Sequence, residues 1–167
     1  MPNTYTLISS ITVSSAVASV EFTSIPSTYT DVVVVGSCRL VRATNGGALN
    51  VNFNGSSANL SGKDVWGNGS TTSSNSSGAE VALVPGANTT ASTFSNFQLY
   101  VPNYAGSTNK SWSSDFVSEN NATAGYDGFV AGLWSQTAAI NAIKFLDNGA
   151  GNIDVNSTFY LYGVKNA

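Results

Sequence analysis

Apolar residues in this chain recur at every second position, and nowhere do they form a helical stripe. A period of two marks strands with one face on a core and the other toward water. Ala18, Val20 and Phe22 alternate with Ser19, Glu21 and Thr23. Leu49, Val51 and Phe53 alternate with Asn50, Asn52 and Asn54. The same rhythm sets Phe97, Leu99 and Val101 against Gln98 and Tyr100, and Trp112, Ser114 and Phe116 against Ser113 and Asp115. It sets Phe129, Ala131 and Leu133 against Val130, Gly132 and Trp134, and Phe159 and Leu161 against Tyr160 and Tyr162. In each group the first-named set is expected to face inward.

Further strands are expected at Tyr5–Ser9, Asp31–Arg42, Ala79–Val84 and Ile140–Leu146. About ten short strands separated by Gly, Asn, Ser and Pro predict an all-β fold. Its expected form is an antiparallel β-sandwich, jelly-roll-like, of about eight to ten strands. The run Val32-Val33-Val34-Val35 is apolar on both faces and belongs in a central strand or under a partner. The 167 residues fit one domain. The Gly/Ser/Asn-rich stretch Gly55–Gly78 reads as a long loop inserted in it, because it has little apolar surface to bury. Pro102–Lys110 and Glu119–Asp127 read as shorter loops.

The chain has no His and one Cys, and only 9% of its residues are charged. Without His there is no Ser-His-Asp triad. A Ser–Lys pair could draw on only four lysines, and Cys38 sits in the most apolar strand, as a buried small hydrophobe would. Asp115 and Glu119 share a strand face roughly 13 Å apart, too far for a glycosidase pair. Asp127, Asp147 and Asp154 stand in Gly/Asn-rich surroundings suited to Asx turns, and no Asp-x-Asp-x-Asp-Gly calcium loop occurs. The expectation is a protein with no catalytic residue, metal or cofactor. Six scattered basic residues and a net charge of −3 offer no cationic stripe for nucleic acid. No apolar run is long enough to span a membrane, and the first residues lack the basic and apolar regions of a signal peptide.

Aromatic residues carry the remaining signal. Trp66, Tyr104 and Tyr126 lie near loops with Asn and Asp neighbours, as in sugar-stacking sites. Trp134 and Tyr160 stand out of phase with their inward neighbours, as interface residues do.

Four stretches then stand out: Ser24–Val34, Tyr104–Ser111 running on to Glu119–Ala122, Ala131–Ile140 and Ser157–Lys165. Together they resemble small β-rich virion proteins of tailed bacteriophages, particularly those of cyanobacterial and other aquatic phages. Such modules serve as capsid decoration (cement) proteins or as ends of tail fibres and spikes. The resemblance implies a jelly-roll-like sandwich, a homotrimer, and a place in the virion reached from the host cytoplasm without a signal peptide. It transfers no catalytic residue. The partners expected are further copies of the chain and the major capsid protein. Contacts are expected from Met1–Ser10 and Asp31–Arg42, with Tyr5, Leu7, Val33, Val35, Trp134 and Tyr160 as contact residues. The alternative is a receptor- or carbohydrate-binding module that uses Trp66, Tyr104 and Tyr126.

Overall fold

A computed structural model describes residues 4–119 and 125–165. Among these the chain forms twelve strands and no helix: β1 (Tyr5–Thr12), β2 (Ser19–Phe22), β3 (Asp31–Cys38), β4 (Gly47–Phe53), β5 (Leu60–Gly67), β6 (Thr72–Ser76), β7 (Glu80–Val84), β8 (Ser95–Val101), β9 (Lys110–Glu119), β10 (Gly125–Trp134), β11 (Ile143–Asp147) and β12 (Thr158–Val164). They pair antiparallel in two sheets. The larger sheet runs β1-β12-β3-β8-β9-β10-β5-β6 and the smaller β2-β11-β4-β7. The fold is therefore an all-β antiparallel sandwich.

Eight strands interleave in a regular way. β1, β12, β3 and β8 form half of the large sheet, and β2, β11, β4 and β7 form the small one. The other four arrive as two inserted pairs. β5 and β6 come between β4 and β7, and β9 and β10 come between β8 and β11. The pairs join edge to edge through β10 and β5, so the large sheet is twice as wide as the one facing it.

This corrects the reading of Gly55–Gly78 as a loop. Its apolar content is low, but backbone ladders to β10 and between β5 and β6, with hydrogen bonds from Lys63 to Ser76 and from Asn75 to Asp64, supply the order that apolar side chains do not. The turn is closed by Asn68, whose Oδ1 accepts hydrogen bonds from the amides of Ser70 and Thr71 at 3.0 and 2.8 Å. Gly69 takes the positive φ of 82° that the turn requires. Of the loop expected over Glu119–Asp127, Glu119 ends β9 and Gly125–Asp127 begin β10, while 120–124 lie outside the described residues. The Pro102–Lys110 loop ends where β9 begins.

The core lies between the sheets, and Phe97, Phe145 and Phe159 meet at its centre. Phe97 on β8 and Phe159 on β12 are both register partners of Gly36 on β3. Their rings lie 6.0 Å apart and each lies within 5.5 Å of the Phe145 ring from the opposite sheet. Gly36 is the space beneath them: a Cβ there would sit 2.2 Å from Phe97 Cε1. β3 is central, as its four valines predict, and its Val32, Val33 and Val34 are all buried. A bulge between Leu7 and Ser9 resets the phase of β1, so Ile8 and Ile11, three residues apart, both pack on the core.

Candidate interaction surface

The inner face of the eight-stranded sheet packs on the core; its outer face is open. Ladder registers place the outward residues in rows that cross the strands. One row reads Ser74, Val65, Phe129, Asp115, Gln98, Val35 and Tyr160. The next reads Lys63, Ala131, Ser113, Tyr100, Val33, Tyr162 and Leu7. Among the described residues, every large apolar side chain that stands exposed lies on this face, apart from Val41 and Val155. Phe129 is 58% exposed, Tyr5 56%, Val65 54% and Leu7 52%, values foreign to a face meant only for water.

Two larger hollows lie on this face. One, of about 470 Å³, is lined by Val65, Gly67, Val117, Asp127 and Phe129, with Trp66 and Asp115 at its walls. The other, of about 440 Å³, lies among Tyr5, Val33, Gln98, Tyr100 and Ser113. Asp115 and Phe129 line both hollows. Asp31 anchors the second: its carboxylate accepts the Tyr100 hydroxyl at 2.9 Å and the Asn103 amide at 2.8 Å. Burial, then this hydrogen bond, raises the Tyr100 pKa, so the phenol stays protonated and the ring is held in place.

Charge is sparse here because most cations are committed elsewhere. Arg39 is buried and donates to Thr89, Thr90 and Thr93. Arg42 grips Asp147 through two hydrogen bonds of 2.8 and 3.1 Å. Lys144 pairs with Glu21 at 3.2 Å. Lys110 is buried under the Trp134 ring and donates to the carbonyls of Gly106 and Ala138, both at 2.6 Å, tying two loops together. Burial without a carboxylate lowers its pKa.

The expected contact residues divide. Tyr5, Leu7, Val35 and Tyr160 are exposed on the outer face. Val33 shares the face but is 1% exposed, since it lies between its register partners Tyr100 and Tyr162. Trp134 is overturned as a contact residue: it is 3% exposed and its indole packs against Phe53 at 5.6 Å. The whole of β10 runs in the opposite phase to that expected, with Val130 and Trp134 inward and Phe129 and Leu133 outward. The cause is on β9. Trp112 and Phe116 spread over the inner face of β10, where Gly132 and Gly128 make room; a Cβ on Gly132 would lie 2.0 Å from the Trp112 ring. Asp127 is likewise a strand residue, facing outward on β10, rather than a loop residue.

The aromatic set of the carbohydrate alternative is not assembled. Tyr104 is fully buried and its hydroxyl donates to the Pro26 carbonyl. Trp66 and Tyr126 are half-buried and meet edge to face at 5.5 Å, packing on each other and on the core. Cys38 is fully buried, and burial pushes its thiol up to about 12, so no thiolate forms near neutrality. Among the described residues no three or more acidic or Cys side chains cluster to hold a metal.

Sequence reasoning set Phe129 and Leu133 inward and left Val65 and Val117 out of the candidate contacts. The signal available was Gly128 and Gly132, whose place on β10 marks the side where a neighbouring ring must fit. Compared with known proteins, the chain matches no family model, no curated protein and no solved structure.

Proposed function

We propose that this chain is a structural subunit of a tailed-phage virion, a capsid decoration protein that docks across major capsid subunits and stabilises the shell. The observation that carries the docking part is the gathering of exposed apolar side chains on the outer face of the eight-stranded sheet. The virion part rests on the resemblance of the four sequence stretches. The strand interleaving of β1, β12, β3, β8 against β2, β11, β4, β7 supports its jelly-roll element.

The physics suits such a role. A partner interface of standard size covers about 800 Å² on each side, and apolar burial contributes about 25 cal/mol per Å² before the costs of association. Contacts built on Val65, Phe129, Val117 and Leu133 do not fade when salt screens charges. Repeated over a shell, they raise the work needed to part neighbouring capsomers.

Co-sedimentation with expanded, undecorated capsids of the phage that encodes the chain tests this reading. The native protein is expected to pellet with capsids, and Phe129→Lys or Val65→Lys to stay in the supernatant. A native protein that never pellets overturns the decoration role; variants that pellet as well as the native protein overturn the assignment of the face.

A further inference from the structure

The large sheet has two open edges, β6 and β1, and they are unlike. β6 is five polar residues, Thr72–Ser76. In the small sheet, β2 is four residues long with Glu21 inside it, and β7 is five residues long with a slip in its register with β4. Short length, charge and irregular register are the usual protections of an edge. β1 has a bulge but lacks the others: eight residues, Tyr-Thr-Leu-Ile-Ser-Ser-Ile-Thr, with no charge and no proline. Among the described residues it pairs with β12 alone, so its far side presents unpaired backbone N–H and C=O groups beside exposed Tyr5 and Leu7.

The geometry points to a second copy of this chain as the occupant: β1 of one protomer pairs antiparallel with β1 of another about a two-fold axis, joining the two large sheets. An antiparallel pair of identical strands is self-complementary, each supplying the donors and acceptors the other lacks. The distribution of charge favours the same occupant. In the large sheet the charged residues of the strands lie on β9, β10 and β5, apart from Asp31, which is buried. Copies stacked face to face would cover the Asp115 and Asp127 carboxylates, whereas copies joined at β1 meet across the uncharged half formed by β1 and β12. An eight-residue edge is small beside a standard interface of about 800 Å² per partner, so the dimer is a weak one that forms in the micromolar range. This contact is two-fold, unlike the trimer implied by the resemblance, and does not depend on the capsid reading.

Sedimentation velocity across the micromolar range, on the intact chain, tests it. The native protein is expected to pass from monomer to dimer as concentration rises. Ser10→Lys and Leu7→Lys, both near the middle of the strand and both at exposed positions, place like charges near the two-fold axis; each is expected to weaken association about tenfold or more with an unchanged melting temperature. Val65→Lys, at the other end of the same face, is expected to dimerise normally. A native protein that is monomeric throughout, one that assembles as a trimer, or a dimer that survives the β1 lysines or is lost with Val65→Lys, overturns the proposal.

Discussion

Phe129 and Val65 are register partners on adjacent strands, β10 and β5, and both turn more than half of their surface to water. Neither holds the fold together, so they separate docking from stability. Phe129→Lys, which sets a cation opposite Asp115, is expected to leave the free energy of unfolding within about 0.5 kcal/mol of native, as exposed substitutions do, while capsid retention is lost. Urea titration beside co-sedimentation checks both halves.

Gly132 does the reverse work, hidden and structural. A Cβ there would lie 2.0 Å from ring atoms of Trp112. Gly132→Ala is expected to cost about 1–3 kcal/mol, the usual penalty of overpacking, read as a lower urea midpoint with an unchanged slope. Val130→Ala, on the same inner face, is expected to cost about as much by leaving a cavity.

These two residues show how far β10 could be read from sequence. Its alternation offers Phe129, Ala131 and Leu133 on one side and Val130 and Trp134 on the other, and local hydrophobicity favours the first set for the core. The choice is made on β9, where Trp112 and Phe116 need the glycines beneath them. That is a pairing between strands, which alternation within one strand does not contain. Where a strand has one clearly apolar side, as in β4, β8 and β12, the inward set was legible: Leu49, Val51, Phe53, Phe97, Leu99, Phe159 and Leu161 are all buried. The β5–β6 hairpin was hidden because Thr72–Ser76 holds its place by backbone ladder and by polar contacts such as Asn75 donating to Asp64, with no apolar side chain to show it. Tyr104 looked like a loop aromatic and is buried because its hydroxyl finds the Pro26 carbonyl.

Asp147 gives the fold an acid limb. Burial opposes its charge, but the Arg42 guanidinium and the amides of Gly149 and Gly151 outweigh it and hold the carboxyl below its ordinary value. A carboxyl with a depressed folded pKa contributes stability above the unfolded value of 3.8, and this is lost as pH falls through the folded one. Asp147→Asn is expected to cost about 2–4 kcal/mol at pH 7 and to flatten the loss of stability below pH 4. Denaturant titrations at several acidic pH values read both effects.

Glu80 works in the opposite direction. Burial, with the neighbouring Asp64 carboxylate adding to it, raises its pKa from 4.5 to about 7. The folded state therefore holds a proton that the unfolded state has released. Stability from this group is complete below pH 4.5 and is lost as pH rises through 7. Unfolding at pH 5.5 and pH 8 is expected to differ by on the order of 1–2 kcal/mol from this residue, since Glu80 keeps some access to water. Glu80→Gln is expected to remove that difference and to be the more stable protein at pH 8.

The central claim is that the outer face of the eight-stranded sheet is a docking surface on a virion shell. Cryo-electron microscopy of the intact virions in which the proposal places this chain tests it most directly. The account predicts icosahedrally ordered density for the sandwich on the shell, touching two or more major capsid subunits, with Val65 and Phe129 in the contact. Density confined to the tail, or a shell contact that leaves this face in solvent, would contradict it.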